Sequence, residues 1–444
     1  MNTSARVLRQ LTGERVSELA RTHTAARYHG EITNVSGLLV ECEGLPAAIG
    51  ELVEIEIRRG QPILAEVVGF RRDATLLMPH GPSDGVAPLQ HVHALGRPFQ
   101  LPVGDELLGR TLDGFGEPLD GLPRLSSKRR MPVQRDAPAP LSRPTIDTPL
   151  TTGVRAIDGL ITLGRGQRLG LFAGSGVGKS TLLGQVARGT DADVLVVALV
   201  GERGREVRDF LADVLGEQGT RRATTIVATS DRPPIERYSA PFVAMTVAEY
   251  YRDQGKNVLM VMDSVTRFAA ACREIGLAAG EPPTLRGYPP RFFATVPRLV
   301  ERMGNTETGS ITGLLTVLLD ADDPNEPVGD TLRGLLDGHV YLDRELASRG
   351  HFPPIDVLAS LSRLMPALVS EQHSQLAALV RRDLAIWRDS KDLVEVGAYR
   401  PGSNPELDAA IARLPIHEAF LTQARDETSE FAQTQAALLA NLTQ

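Results

Sequence analysis

The chain has 444 residues, with 48 Lys+Arg against 55 Asp+Glu for a net charge of −7, and 42% of its residues are hydrophobic. Length and composition fit a globular protein of two or three domains, at roughly 100 to 200 residues each, and exclude disordered, collagenous and membrane-spanning classes. The acidic balance argues against bulk neutralisation of nucleic-acid phosphate while leaving room for a locally basic channel, and Cys42 and Cys272 are too few for a disulfide framework or a cysteine-built zinc site, which points to a reducing cytosolic setting.

The first residues, MNTSARVLRQLTGERVSELAR, offer no uninterrupted apolar stretch of the about 7 to 15 residues that a secretory signal needs. Arg6, Arg9, Arg15, Arg21 and Arg27 among near-helically spaced apolar residues read either as a short basic amphipathic helix that docks on a partner or acidic membrane, or as a frayed terminus. From Tyr28 to about Leu95, short runs such as GEITNVSGLLVEC, ELVEIEI, PILAEVVGF and ATLLMP predict a small all-β sandwich or barrel. A stretch rich in Pro and Gly between Gly114 and Thr151 predicts an extended connector. After Thr151, apolar strands alternate with helical patterns (RLGLFAG, STLLGQVARG, ADVLVVALVG, REVRDFLADVLGEQG, TTIVATS, NVLMVMDS), which predicts a parallel sheet with crossover helices. The runs Val194–Val200 and Val258–Met262 are far shorter than the roughly 20 residues that span a bilayer, and they read as buried strands. Beyond Pro366 the segments Ser370–Asp389, Glu406–Leu414 and Ile416–Leu442 read as amphipathic helices. The expected divisions are 1–96 for the tail and barrel, 97–365 for the core and 366–444 for a helical domain.

The densest chemical signal is Ala173-Gly174-Ser175-Gly176-Val177-Gly178-Lys179-Ser180-Thr181, set between a predicted strand and a predicted helix. Glycines there let successive backbone N–H groups point at phosphate oxygens, and the helix N-terminus adds favourable partial charge. Lys179 is placed to reach the β- and γ-phosphates, and the Ser180 hydroxyl to join a Mg²⁺ shell. Ala173 departs from the strict glycine of this motif, a change that is tolerable if Ala173 ends the strand. Asp263 closes the strand NVLMVMD, where a carboxylate faces the ligand crevice of an open α/β sheet and suits a Mg²⁺-directing role. Glu202 follows the strand ADVLVVALV and is expected on the same edge, in position to orient an attacking water.

The phosphate loop, LVGERGREV (Leu199–Val207), DQGKNVLMVMDSVTRFA (Asp253–Ala269) and DGHVYLDRELASRGHFPPIDVLASLSRLM (Asp337–Met365) together resemble the ATPases of type III protein export, which serve the flagellum and the injectisome and are similar to catalytic subunits of rotary ATP synthases. The resemblance implies an α/β fold: a P-loop NTPase core with a RecA/F1-like parallel sheet, an N-terminal β-barrel and a C-terminal helical domain. It further implies Arg203 as a phosphate-side contact and Arg363, in Ser360-Leu361-Ser362-Arg363, as an arginine finger for the neighbouring subunit's nucleotide. Phe352 in GHFPPID matches an aromatic that stacks on adenine, with Tyr399 a weaker match for the other side of the base; core packing explains aromatics at either place as well. The loop Gly280–Pro290 reads either as a contact for a central stalk or exported chain, or as a rigid proline turn.

Taken together, the resemblance implies a Mg²⁺-dependent ATPase working as a homohexamer, with ATP and Mg²⁺ as ligands. It would energise chaperone release and unfolding of export substrates at the cytoplasmic face of the bacterial inner membrane. Implied partners are other copies of the chain, a central stalk, peripheral regulators and chaperone–substrate complexes, with no specific nucleic acid. Two other readings share the core: the catalytic subunit of a rotary ATP synthase, and an RNA-dependent hexameric translocase. The translocase needs an aromatic and basic single-strand surface that is not evident in the barrel segment. A nucleotide-binding scaffold without turnover is disfavoured by Glu202 and Arg363. The segment FLTQARDETSEFAQTQAALLANL is somewhat more like the injectisome branch than the flagellar one.

Overall fold

The computed structural model describes residues 29–58, 60–319 and 326–440, so the arginines of the N-terminal tail, from Arg6 to Arg27, lie outside the described residues. Contacts divide the chain into two compact units after Phe99. In the first, the strands β1 (His29–Ser36), β2 (Leu39–Glu43), β3 (Glu51–Ile55), β4 (Ile63–Arg71), β5 (Ala74–Pro79) and β6 (His91–Pro98) close in the order β1-β2-β5-β4-β3-β6. Alternation sends Ile32, Cys42, Val53, Ile55, Val67, Leu77 and Val92 inward to a core that excludes solvent. Bulges in β1, β3 and β4 help the sheet bend into closure. At Gly30 a Cβ would sit 2.5 Å from Cys42 Sγ, so the close approach of β1 to β2 depends on that glycine. Both cysteines are buried and free, and burial pushes the Cys42 thiol up to about 12 and the Cys272 thiol up as well, so neither presents a reactive thiolate.

The second unit opens with extended chain: β7 (Gln100–Pro102), β8 (Thr111–Asp113), β9 (Arg130–Pro132), β10 (Pro149–Leu150) and β11 (Leu163–Gly164), with β7 paired to β9 and β10 to β11. Its main sheet adds β12 (Arg168–Ala173), β13 (Val194–Val200), β14 (Ala223–Ala228), β15 (Asn257–Asp263), β17 (Ser310–Leu318), β18 (Gly338–Leu342) and β19 (Ile355–Ser362), with the short β16 (Gly304–Asn305) on β17. The order is β19-β18-β12-β17-β15-β13-β14-β8, parallel throughout except that β19 runs antiparallel to β18. All seven residues of β13 are buried, as expected of a strand covered on both faces by crossover helices. In register, Ala173 pairs with Leu342 and with Leu318, and Leu199 pairs with Asp263. The C-terminal ends of β12, β13 and β15 therefore share one edge.

The C-terminal helices Glu371–Glu395, Pro405–Leu421 and Phe431–Ala440 are not a detached layer. Their apolar faces join one continuous core that runs from Leu150 to Leu438, and polar ties reinforce it. His373 Nε2 meets Gly159 O at 2.8 Å, Arg381 donates to Leu160 O at 2.8 Å, and Arg155 donates to Phe420 O at 3.0 Å. Two helix boundaries differ from the sequence expectation. One helix continues across Pro415, where burial of Leu407, Ala410, His417 and Phe420 on one face outweighs the missing backbone donor. The expected helix Ile416–Leu442 is instead broken at residues 422–430, a polar stretch that turns to lie against the main sheet's first crossover helix. Among the described residues no helix is long and apolar enough to cross a membrane.

Candidate active site

The phosphate loop joins β12 to the helix Lys179–Gly189. Ala173 is the last, fully buried residue of β12, which explains how a methyl group is accommodated at the motif's first position. Gly176 and Gly178 have φ of +78° and +111°, a region costly for any side chain, so the tight turn depends on glycine there. Gly174, Ser175 and Val177 complete the loop, and Arg344 donates to Ser175 O at 3.2 Å, bracing it from outside. Ser180 and Thr181 occupy the first helical turn and line a cavity of about 250 Å³ together with Glu202 and Asp263.

Three of the expected charges converge on this edge. The Lys179 ammonium donates to Asp263 Oδ1 in a tight ion pair and stands 3.6 Å from Glu202 Oε1. Asp263 Oδ1 also accepts a 2.7 Å hydrogen bond from Thr316 Oγ1, a buried hydroxyl of β17. Glu202 is in a different electrostatic position. Burial pushes its carboxyl up to about 7, the Lys179 charge lowers it, and the Asp263 charge and a hydrogen bond with Glu206 raise it again. Glu206 is held below its ordinary range by that same hydrogen bond.

Arg203 is largely exposed and pairs with Glu206 Oε1 at 3.2 Å. Phe352 is 47% exposed, and its carbonyl accepts from Gln423 N at 2.8 Å, while Pro354 lies beside Gly178. Phe352 is thus brought close to the loop and to the 422–430 segment. Tyr399 is not. Its hydroxyl donates to Asp408 Oδ1 at 2.8 Å and approaches Asn404 O at 3.2 Å, which commits it to the turn between the first two C-terminal helices. Residues 422–425 lie beside the loop helix, held by Gln185 and Arg188.

Arg363 lies elsewhere again. It is exposed, just past the end of antiparallel β19, and its amide donates to Asp337 O at 3.0 Å. Ser362 pairs with Gly338 and Gly338 with Leu169, four residues before Ala173. Arg363, one residue beyond Ser362, therefore sits roughly 16 Å along the strand axis from Ala173 at the start of its own phosphate loop, at about 3.3 Å per residue, and at the opposite sheet edge. The loop Gly280–Pro290 contains one short 3₁₀ turn, Leu285–Gly287, despite its prolines; Glu281 grips Arg291 at 2.7 Å below it, and Leu285 is 59% exposed at its tip.

Sequence reasoning missed Glu206, Thr316 and the 422–430 segment. Glu206 stands four residues after Glu202 in GERGRE, a spacing that returns it to the same side of the chain. Thr316 is marked only as a polar residue inside a buried strand. Among the described residues no group of three or more His, Cys, Asp or Glu is placed to hold a metal ion.

Comparison with known proteins bears on all of these regions. The family described as ATP synthase alpha/beta family, nucleotide-binding domain, matches residues 153–362, and the beta-barrel domain of that family matches 32–96. Residues 369–440 match the T3SS EscN ATPase C-terminal domain. A type 3 secretion system ATPase of Xanthomonas euvesicatoria is 49% identical over 96% of this chain and 96% of its own. A flagellum-specific ATP synthase of Bacillus subtilis is 49% identical over 94% of this chain and 95% of its own. The solved structure of the assembled ATPase EscN from the type III secretion system of enteropathogenic E. coli superposes with a TM-score of 0.88 at 44% identity, covering 93% of this chain and 99% of that one. The same protein solved in complex with its central stalk EscO gives a TM-score of 0.86, at 43% identity over 93% of this chain and 99% of that one.

Proposed function

This chain belongs to the ATPases of type III secretion and flagellar export, and from that premise we propose that it hydrolyses ATP at a site shared between neighbouring subunits of a homohexameric ring. The observation that carries the reading is the split of charge across the sheet: Lys179, Glu202 and Asp263 gather at one edge, and Arg363 stands exposed at the other. A head-to-tail ring brings those two edges together at each interface, because a heterologous contact repeated around a closed rotation joins unlike surfaces.

In this reading Gly174–Thr181 cradles the phosphates with backbone N–H groups, and Lys179 leaves Asp263 to neutralise the β- and γ-phosphates. The Ser180 hydroxyl and the Asp263 carboxylate, hard oxygen donors on one cavity wall, fit Mg²⁺ and would hold it with the phosphate oxygens. Bound there, Mg²⁺ supplies charge neutralisation to the terminal phosphates. Glu202, whose carboxyl lies near neutrality, accepts a hydrogen bond from the attacking water and aligns it with the γ-phosphorus. Arg203, freed from Glu206, and Arg363 from the adjacent subunit stabilise the charge that spreads over the transferring phosphoryl group. Phe352 stacks on the adenine.

The partners follow from the family. We assign the ring a central stalk, as the enteropathogenic E. coli relative has, with the rigid Leu285 turn as one contact surface. Peripheral regulators, chaperone–substrate complexes and a peripheral place on the cytoplasmic face of the inner membrane complete the assignment, with three functional divisions at 1–96, 97–365 and 366–444. The match to the T3SS C-terminal domain supports export rather than ATP synthesis.

The test is phosphate release by purified protein against protein concentration, with and without Mg²⁺. Specific activity that climbs with assembly, is lost on chelation and is absent from Lys179→Ala supports the reading. Equal specific activity of dilute monomer and assembled ring contradicts a shared site.

A further inference from the structure

Residues 422–430 interrupt the C-terminal helices beside the phosphate loop, and none of the roles above uses their charged side chains. Thr181, Gln185 and Arg188 are spaced i, i+4 and i+7 on the helix Lys179–Gly189, so they share one stripe. Gln185 Nε2 donates to Ala424 O at 2.9 Å, and Arg188 Nη2 donates to Arg425 O at 2.7 Å. The segment is thereby strapped along the stripe, and the next position toward the phosphate loop is Thr181, about 6 Å from Gln185 at ~1.5 Å per residue. An arginine side chain spans that distance, and Arg425 lines the same cavity as Ser180 and Thr181.

The facing wall is acidic. Glu206, Asp209 and Asp213 line it, and Arg425 is the one cation among the described residues that line the cavity. Arg425 is exposed and has no ion-pair partner among the described residues. Those carboxylates would repel a phosphate placed near Thr181 unless a cation offset them. Lys179 cannot serve there, because it is drawn to Glu202 and Asp263 at the far, terminal-phosphate side.

We propose that Arg425 is a nucleotide-binding residue, whose guanidinium reaches over Thr181 to the phosphate nearest the ribose. The proposal rests on the reading of this cavity as the ATP site. A planar guanidinium donates two parallel hydrogen bonds to a phosphate, which a lysine imitates only as a point charge. The contact is present in both substrate and product, so it strengthens binding without changing the chemical step.

The experiment measures ADP affinity by calorimetry, and steady-state ATP hydrolysis, for the unmodified protein, Arg425→Ala, Arg425→Gln and Arg425→Lys, with thermal melts as a folding control. Arg425→Ala and Arg425→Gln are expected to weaken ADP and raise KM by about tenfold, with kcat within about twofold of the original. Arg425→Lys should recover only part of that loss, because it restores the charge but not the paired hydrogen bonds. Unchanged ADP affinity in Arg425→Ala overturns the assignment, as does full recovery by Arg425→Gln, which would mark a packing role. If the unmodified protein itself fails to bind ADP, the ATPase reading falls and this inference with it; normal binding there, with unaltered variants, removes Arg425 alone.

Discussion

Glu249 and Glu202 are both shielded carboxylates facing a cation in the same unit, yet their surroundings differ. Glu249 receives both prongs of the fully buried Arg302, at 2.8 and 2.9 Å, and a third bond from Arg135 at 3.1 Å. Arg302 spends its remaining prong on Val133 O at 2.8 Å, so the cluster has no charge left to satisfy. Glu202 has the side of an ammonium that is committed to Asp263 and a hydrogen bond with Glu206, and burial pushes its carboxyl up to about 7. A closed network of this kind fixes helix Pro234–Arg252 against the strand-rich connector. An under-paired one leaves Lys179 and Glu202 with interactions to exchange when an anion and a water arrive. The difference teaches which buried charges serve the fold and which serve turnover.

The sharpest way to break that contrast is to remove the charge of each carboxylate in turn. Glu202→Gln is expected to lower turnover by about 10³-fold while ADP binding and the melting transition stay near the original, as phosphate release and calorimetry will report. Retained turnover would remove Glu202 from the water-orienting role. Glu249→Gln should do the reverse, destabilising the unit by about 3 kcal/mol in denaturant melts because it leaves the Arg302 charge buried without a counter-ion. An unshifted midpoint would show that the cluster is not what holds helix and connector together.

A third cluster extends the comparison with a smaller effect. Asp383 accepts from Arg413 at 2.7 and 2.8 Å and from His417 at 2.8 Å. Burial alone would raise its carboxyl, but those hydrogen bonds hold it below the usual carboxylate range. A group depressed in the folded state stabilises the fold above its unfolded pKa of about 3.9 and ceases to do so as pH falls through the folded value. The pairing of helices Glu371–Glu395 and Pro405–Leu421 should therefore weaken below about pH 4, and Asp383→Asn should cost about 2 kcal/mol at neutral pH and flatten the acid limb of the stability curve. Circular dichroism across pH checks both. The smallest effect is expected at Thr316→Val, which deletes one hydrogen bond to Asp263 at an isosteric site and should cost about 1 kcal/mol with a modest loss of rate.

Most of the scaffold around these charges is legible in the residues. The period-two runs before Leu95 and the fully apolar runs ending at Val200 and Asp263 announce a barrel and a parallel sheet, because burial on one face or two leaves distinct patterns. The phosphate loop is legible because a tight turn, a strand end and a helix start all constrain its glycines at once. Tyr399 shows a limit of the sequence, since an aromatic carries no mark of whether its hydroxyl is claimed locally, as Asp408 claims this one. The break at residues 422–430 was missed although Asp426, Glu427, Thr428 and Ser429 form a polar turn cluster, because the apolar spacing resumes beyond it at Phe431. Arg363 shows the opposite limit: its motif is plain, but only the antiparallel course of β19 reveals that it lies at the other end of the strands from its own loop.

That separation is the central claim, and one mixing experiment addresses it directly. Lys179→Ala and Arg363→Ala proteins, each inactive alone, are reassembled together and assayed for ATP hydrolysis. Mixed rings are expected to recover part of the original activity, since some interfaces then combine an intact Lys179 with an intact Arg363 from the next subunit. No recovery, in samples where mixed rings are demonstrated by differential labelling, would contradict a site built from two subunits.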